Sequence, residues 1–145
     1  MILKWEKNTP VSTVPLECTT TNLIPDMCIF WKKAKKLIIF ELTVPFDLKI
    51  DDAHLRKCNK YNPLVSDIEK SGYEVSLVAL EVGSRGYISG HNSKRIKDLL
   101  KVCNNPIPFK EARDKISKIA VLSSFSIYHA KDEKSWGNFP LLDVQ

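Results

Sequence analysis

The chain is poor in the features that mark several protein classes. No run approaches the ~20 apolar residues of a membrane-spanning helix. No apolar block is longer than five residues, so a membrane partner is not expected. The opening MILKWEKNTP lacks the apolar core of a secretory signal, which argues against secretion. Four cysteines (Cys18, Cys28, Cys58 and Cys103) form no C-x-x-C pair, which argues against a zinc knuckle or ribbon. Reduced thiols in the nucleus or cytoplasm follow as the expectation. Five Gly and eight Pro exclude collagen-like and mucin-like chains. Acids are also in deficit: 17 Asp plus Glu stand against 22 Lys plus Arg, a net charge of +5. That points weakly to a polyanionic partner and says nothing about fold.

What is present describes one globular domain. The chain has 145 residues, 43% hydrophobic and 27% charged. A chain of that length buries about 68–70% of the surface its unfolded form exposes, enough for a real core. No internal repeat or low-complexity linker divides it.

The apolar pattern predicts a short strand at residues 2–5 and longer strands at 23–31 and 37–44. A lysine-rich turn, Lys32-Lys33-Ala34-Lys35-Lys36, joins the longer two. Both carry apolar residues on successive positions, as in a sheet covered on both faces. Asp51 or Asp52 is expected to cap a helix running toward Lys70, with Gly72 at its C′ position. Pro63 falls inside it and predicts a kink or two helical pieces. Residues 73–82 read as a strand with Val75, Leu77, Ala79 and Glu81 on one face. Gly83-Ser84-Arg85-Gly86 reads as a turn. A short helix is expected from Ser93 to about Cys103. A last helix is expected over residues 109–129, with Ala112, Ile116, Ile119, Ser123 and Ile127 inward and Trp136 packing against it. The fold class is α/β: a small mixed β-sheet flanked by helices.

Two carboxylates stand out. Asp26 and Glu41 sit in otherwise apolar strands, where an isolated charge is costly unless paired or holding a cation. If Trp31 pairs with Lys36 across a four-residue loop, Asp26 falls opposite Glu41. Opposed residues have Cβ atoms about 4.5–5.5 Å apart. Two carboxylates at that distance make a seat for a hard cation such as Mg²⁺ or Mn²⁺. In the helix that follows, Ala53, Lys57, Lys60 or Tyr61, Leu64 and Ile68 share one face. Lysines on a core-directed face either snorkel to the rim or meet the acidic pair. Paired carboxylates, a cation and a lysine are what phosphodiester hydrolysis requires.

The quoted runs carry a more specific signal. PDMCIFWKKAKKLIIFELTVPFD, AHLRKCNKY and YEVSLVALEVGSRGY, in that order, resemble the restriction-like endonuclease domain of the PD-(D/E)XK superfamily. The likeness is to the version found in non-LTR retrotransposons and retroelement-derived animal proteins. The resemblance implies a restriction-endonuclease-like fold, with a core over about residues 22–90 and a helical C-terminal extension over about 91–145. Family domains usually carry more chain before the first strand, so an N-terminally shortened domain is implied. The resemblance also implies a Mg²⁺-dependent DNA endonuclease. Asp26 and Glu41 are then metal ligands. Lys57 and Lys60 hold the place of the motif lysine, since Thr43 stands where many members have it. Tyr61 completes that motif and offers a DNA contact or a packing residue. A reverse-transcriptase domain encoded elsewhere is the implied partner. The other class to weigh is an inactive nucleic-acid-binding or interaction module that keeps the fold.

Each remaining candidate has a bland reading beside any functional one. Arg85 offers a guanidinium to phosphate, or is a surface arginine in a tight turn. Lys32, Lys33 and Lys35 touch a DNA backbone, or only blunt the hairpin tip. Glu81 approaches the metal, or is a solvated strand end. His54, His91 and His129 show no ligand spacing and read as surface or packing residues.

Overall fold

The computed structural model describes residues 14–130. The expected strand at residues 2–5 and the packing of Trp136 lie outside them. The order is β1 (Met27–Trp31), β2 (Lys36–Thr43), a single 3-10 turn (Asp47–Lys49), α1 (Ile50–Lys70), β3 (Glu74–Glu81), α2 (Gly90–Val102) and α3 (Phe109–Ala130). The three strands form one sheet in the order β1-β2-β3. β1 and β2 are antiparallel, in the register Trp31↔Lys36 to Met27↔Phe40. β3 runs parallel to β2. The Glu74 amide donates to the Lys35 carbonyl near the start, and the Val82 amide donates to the Thr43 carbonyl near the end. The sheet is therefore mixed, with α1 as the crossover a parallel pair requires.

The described chain divides into two compact units. The first holds residues up to Glu41 together with 55–79. Its core is Val14, Cys18, Leu37, Ile39, Tyr61, Leu64 and Ile68. Leu37, Ile39 and Glu41 alternate along β2 and are all buried, so Glu41 is the polar member of an apolar row. Phe30 meets Tyr73 with ring centroids 5.8 Å apart. The second unit holds residues 42–54 and those from Leu80 onward. Its buried apolar residues include Ile50, Ala53, Leu80, Val82, Ile96 and Ala120.

Several sequence expectations need correction. β1 begins at Met27, not at residue 23, because the Pro25 nitrogen has no hydrogen to donate and Asp26 sits in a bend. Only one face of β2 is buried: Ile38 and Phe40 are half-covered and Leu42 is exposed. α1 starts before Asp51. The 3-10 turn leads into it through the Lys49 amide on the Phe46 carbonyl, 2.7 Å. Asp51 and Asp52 therefore lie in the first turn, where acids complement the helix dipole. Pro63 does not split α1. It is exposed, as is Asn59, whose carbonyl has no N–H to accept from at Pro63. α2 starts at Gly90, ahead of Ser93, because Ser89 is its N-cap and accepts from the Asn92 amide at 3.2 Å. On α3, Ala120 is buried and Ala112, Ile116 and Ser117 are partly buried, while Ile119, Ser123 and Ile127 are exposed. Gly86 decides this. It lies so close to α3 that a Cβ there would come within 2.5 Å of Ser117 Oγ, and Ser117 donates to its carbonyl.

The Gly72 expectation matches a complete motif. Gly72 has φ of 84°, its amide donates to the Glu69 carbonyl, and the Tyr73 amide donates to the Ile68 carbonyl. That pair of bonds closes α1 and aims the chain into β3.

Candidate active site around Glu41

All the groups of this site lie in the first unit. The hairpin register carries Asp26 to the position beyond Met27↔Phe40, opposite Glu41. The Asp26 amide donates to Glu41 Oε1 at 3.0 Å. Asp26 itself is exposed, and its negative charge contributes to raising the Tyr61 pKa. Lys57 Nζ donates to Glu41 Oε2. Only 1% of the Glu41 side chain is exposed, against 20% for Lys57. A carboxylate so buried is tolerable only because both oxygens accept from N–H donors.

Electrostatics follow from this geometry. Burial alone pushes the Glu41 carboxyl up. Donation from Lys57, the neighbouring Tyr61 hydroxyl and the Asp26 amide together outweigh burial and hold it below the usual glutamate value. Tyr61 moves the other way: burial, then the neighbouring charge of Glu41, pushes its phenol well up. It stays a neutral hydroxyl that donates to the Ile24 carbonyl at 3.1 Å. Cys28 is pushed up to about 11 by burial first, then by Cys18 and Glu41. All four cysteines are unbridged.

The structure sorts the sequence candidates. Asp26, Glu41, Lys57 and Tyr61 come together. Lys60 does not reach the carboxylate: its amine bonds the Tyr61 hydroxyl at 3.1 Å and stands 4.7 Å from that ring's centre. The choice between Lys60 and Tyr61 on the core face of α1 falls to Tyr61, which is fully buried while Lys60 is exposed. Lys32 pairs with Glu17 at 2.8 Å at the hairpin tip. Lys33 and Lys35 are exposed there, Lys35 with φ of 49°.

In the second unit Arg85 is engaged. Its Nε donates to Asp47 Oδ2 at 2.9 Å and its amide to Oδ1 at 3.3 Å. Asp47 Oδ1 lies within 2.0 Å of where a Cβ on Gly83 would be, so the turn is built around that carboxylate. Arg85 thus ion-pairs with Asp47 from a tight turn while most of its side chain stays exposed.

Glu81 is not a solvated strand end. It is buried, accepts from His54 Nδ1 at 3.0 Å, and lies 3.4 Å from Arg95. Asn92, also buried, donates to the Glu81 carbonyl at 2.7 Å and accepts from Arg95 at 2.9 Å. His54 is therefore a partner of a buried acid and not a surface residue. Glu81 shares the inward face of β3 with Val75, Leu77 and Ala79, and that was the available signal. A carboxylate in such a row must have partners. Arg95 and Asn92 lay beyond any short-range pattern.

Among the described residues, no group of three or more His, Cys, Asp or Glu gathers to hold a metal. Asp26 and Glu41 make a pair of hard oxygen donors. Mg²⁺ commonly keeps several waters and takes one or two carboxylates plus substrate phosphates, and the two acids offer oxygen donors of that kind, Glu41 with both oxygens accepting from N–H groups. No protein-family model and no curated protein matches the chain.

Proposed function

We propose that this chain is a Mg²⁺-dependent DNA endonuclease domain of the PD-(D/E)XK type, of retroelement origin. One observation carries the reading: the buried Glu41 carboxylate, bonded by Lys57 from α1, faces Asp26 across the hairpin. Of the residues named by the resemblance, Lys57 and the Asp26 amide meet Glu41 directly, which supports the reading. Asp26 and Glu41 would hold the cation. A bound Mg²⁺ supplies polarisation of the phosphoryl oxygen and a lowered pKa for its water.

The chain's own residues have distinct tasks in this reading. Lys57 keeps Glu41 ionised, and its ammonium has three donors, so others remain for phosphate oxygens. Tyr61 stays protonated and ties α1 to the Ile24 carbonyl, fixing the helix that aims Lys57. Lys60 acts on Tyr61 and not on the carboxylate. Lys32, Lys33 and Lys35 supply positive charge near the substrate backbone, and Arg85 holds its turn. A reverse-transcriptase domain encoded elsewhere and a nuclear or cytoplasmic setting belong to the same reading.

A second reading has its own support. Both Glu41 oxygens already have N–H donors, so the Lys57 ion pair satisfies the acid with no cation. That is the arrangement expected of an inactive binding module that keeps the fold. Incubation with supercoiled plasmid and Mg²⁺ separates the two: the first reading predicts nicking that Asp26→Ala/Glu41→Ala abolishes, the second predicts binding alone.

A further inference from the structure

The excess positive charge of the chain has a definite location. Residues 90–130 contain eight Lys and Arg (Lys94, Arg95, Lys97, Lys101, Lys110, Arg113, Lys115, Lys118) and three acids (Asp98, Glu111, Asp114), a difference of +5. The whole chain is +5, so the remainder is neutral. This segment is α2, α3 and the loop between them, all within the second unit.

Part of that charge borders a concave surface. An open recess of about 370 Å³ is lined by Lys97, Lys101, Asn104 and Asn105 together with Leu100, Ile107 and Phe109. Lys97 Nζ stands 4.6 Å from the centre of the Phe109 ring, so the ring holds one ammonium at the rim. Lys94, Lys97 and Lys101 follow i, i+3, i+7 spacing on α2 and are exposed, with Asp98 the acid on that face. Seven residues of helix rise about 10 Å, the axial length of about three phosphates of one strand at ~3.4 Å each.

From this we infer that the α2–α3 recess is a phosphate-backbone site for a nucleic-acid strand, seated on Lys94, Lys97 and Lys101. The choice of ligand rests on the nucleic-acid reading above; the site does not overlap its proposed catalytic groups. Ammonium groups supply charge to non-bridging oxygens, and the two carboxamides supply directed donors. Such contacts position a strand without reading its sequence.

Fluorescence anisotropy of the full chain with a labelled single-stranded or duplex oligonucleotide, in EDTA and across a salt series, tests this. Each lost phosphate contact lowers the log–log salt slope by about 0.7 to 0.9, so Lys97→Gln/Lys101→Gln should lose about 1.4 to 1.8 and bind about tenfold or more weakly at moderate salt. A cooperative melt of the variant confirms that it is folded, and Lys70→Gln should bind as the wild type does. An unchanged slope and affinity in the folded double variant overturns the inference. So does binding of phosphatidylserine vesicles without binding of the oligonucleotide. Cleavage is scored separately. Lysine-dependent binding without any cleavage leaves this site standing and removes the nuclease, whereas cleavage indifferent to these lysines does the reverse.

Discussion

Lys57 on α1 donates to Glu41 on β2, sixteen residues earlier, and so closes a nearly dry ion pair at the polar end of the Leu37–Ile39–Glu41 row. Removing one partner of a buried pair strands the other, at a cost of about 3–5 kcal/mol. Lys57 keeps a fifth of its side chain exposed, which places the expected loss for Lys57→Ala at about 3 kcal/mol, the lower end of that range. Replacing both partners with apolar residues, Glu41→Leu/Lys57→Met, should recover most of it. Urea titration gives both values. Equal destabilisation of the single and double variants would show that the pair does not act as a unit.

Acid should weaken the fold through Glu41. Its folded pKa lies below the ordinary 4.5, so the folded state binds that proton less tightly than the unfolded chain does. The stability it contributes is complete above about pH 4.5 and is lost as pH falls through the lower folded value. Melting temperatures of wild type and Glu41→Gln should therefore differ most near neutrality and converge in acid. A gap independent of pH would contradict the assignment.

Cys28 should be slow to alkylate. With its pKa pushed up to about 11 by burial, little thiolate is present at pH 8. Mass spectrometry after a short iodoacetamide pulse should find Cys18 and Cys28 unmodified in the folded protein and modified in urea. Rapid labelling of Cys28 without denaturant would mean that the hairpin is open.

Asn92 should matter more than its small size suggests. It satisfies the Glu81 carbonyl and orients Arg95 beside the Glu81 carboxylate. Asn92→Ala leaves buried polar groups without those bonds, an expected loss of about 1–3 kcal/mol. Asn92→Asp can still accept from Arg95 but cannot donate to the carbonyl, and should recover only part. A melt unchanged by Asn92→Ala would show that the cluster contributes nothing to stability.

How much of this could be read from the chain depended on the range of each interaction. The hairpin register was legible because a lysine-rich turn and two apolar runs leave few ways to pair, and that register alone brings Asp26 to Glu41. The core face of α1 was legible from helical spacing as far as a choice between Lys60 and Tyr61. Spacing places both near the sheet; the depth available at the Ile24 carbonyl suits the aromatic ring. The start of α2 was missed because the capping hydroxyl belongs to Ser89, ahead of a glycine that reads as loop. The inward face of α3 was missed because Gly86, far away in sequence, sets how the helix rolls. The Glu81 cluster draws on α1, β3 and α2, and no local pattern announces such a meeting.

The most direct test of the central claim is plasmid nicking by wild type and Glu41→Gln in Mg²⁺, with DNA binding measured on the same samples. The account predicts nicking by the wild type and a loss of about a hundredfold or more in Glu41→Gln at unchanged DNA affinity, the scale of losing one preorganised transition-state contact. Equal nicking by the two proteins, or DNA binding by the wild type with no nicking under Mg²⁺ or Mn²⁺, would contradict it.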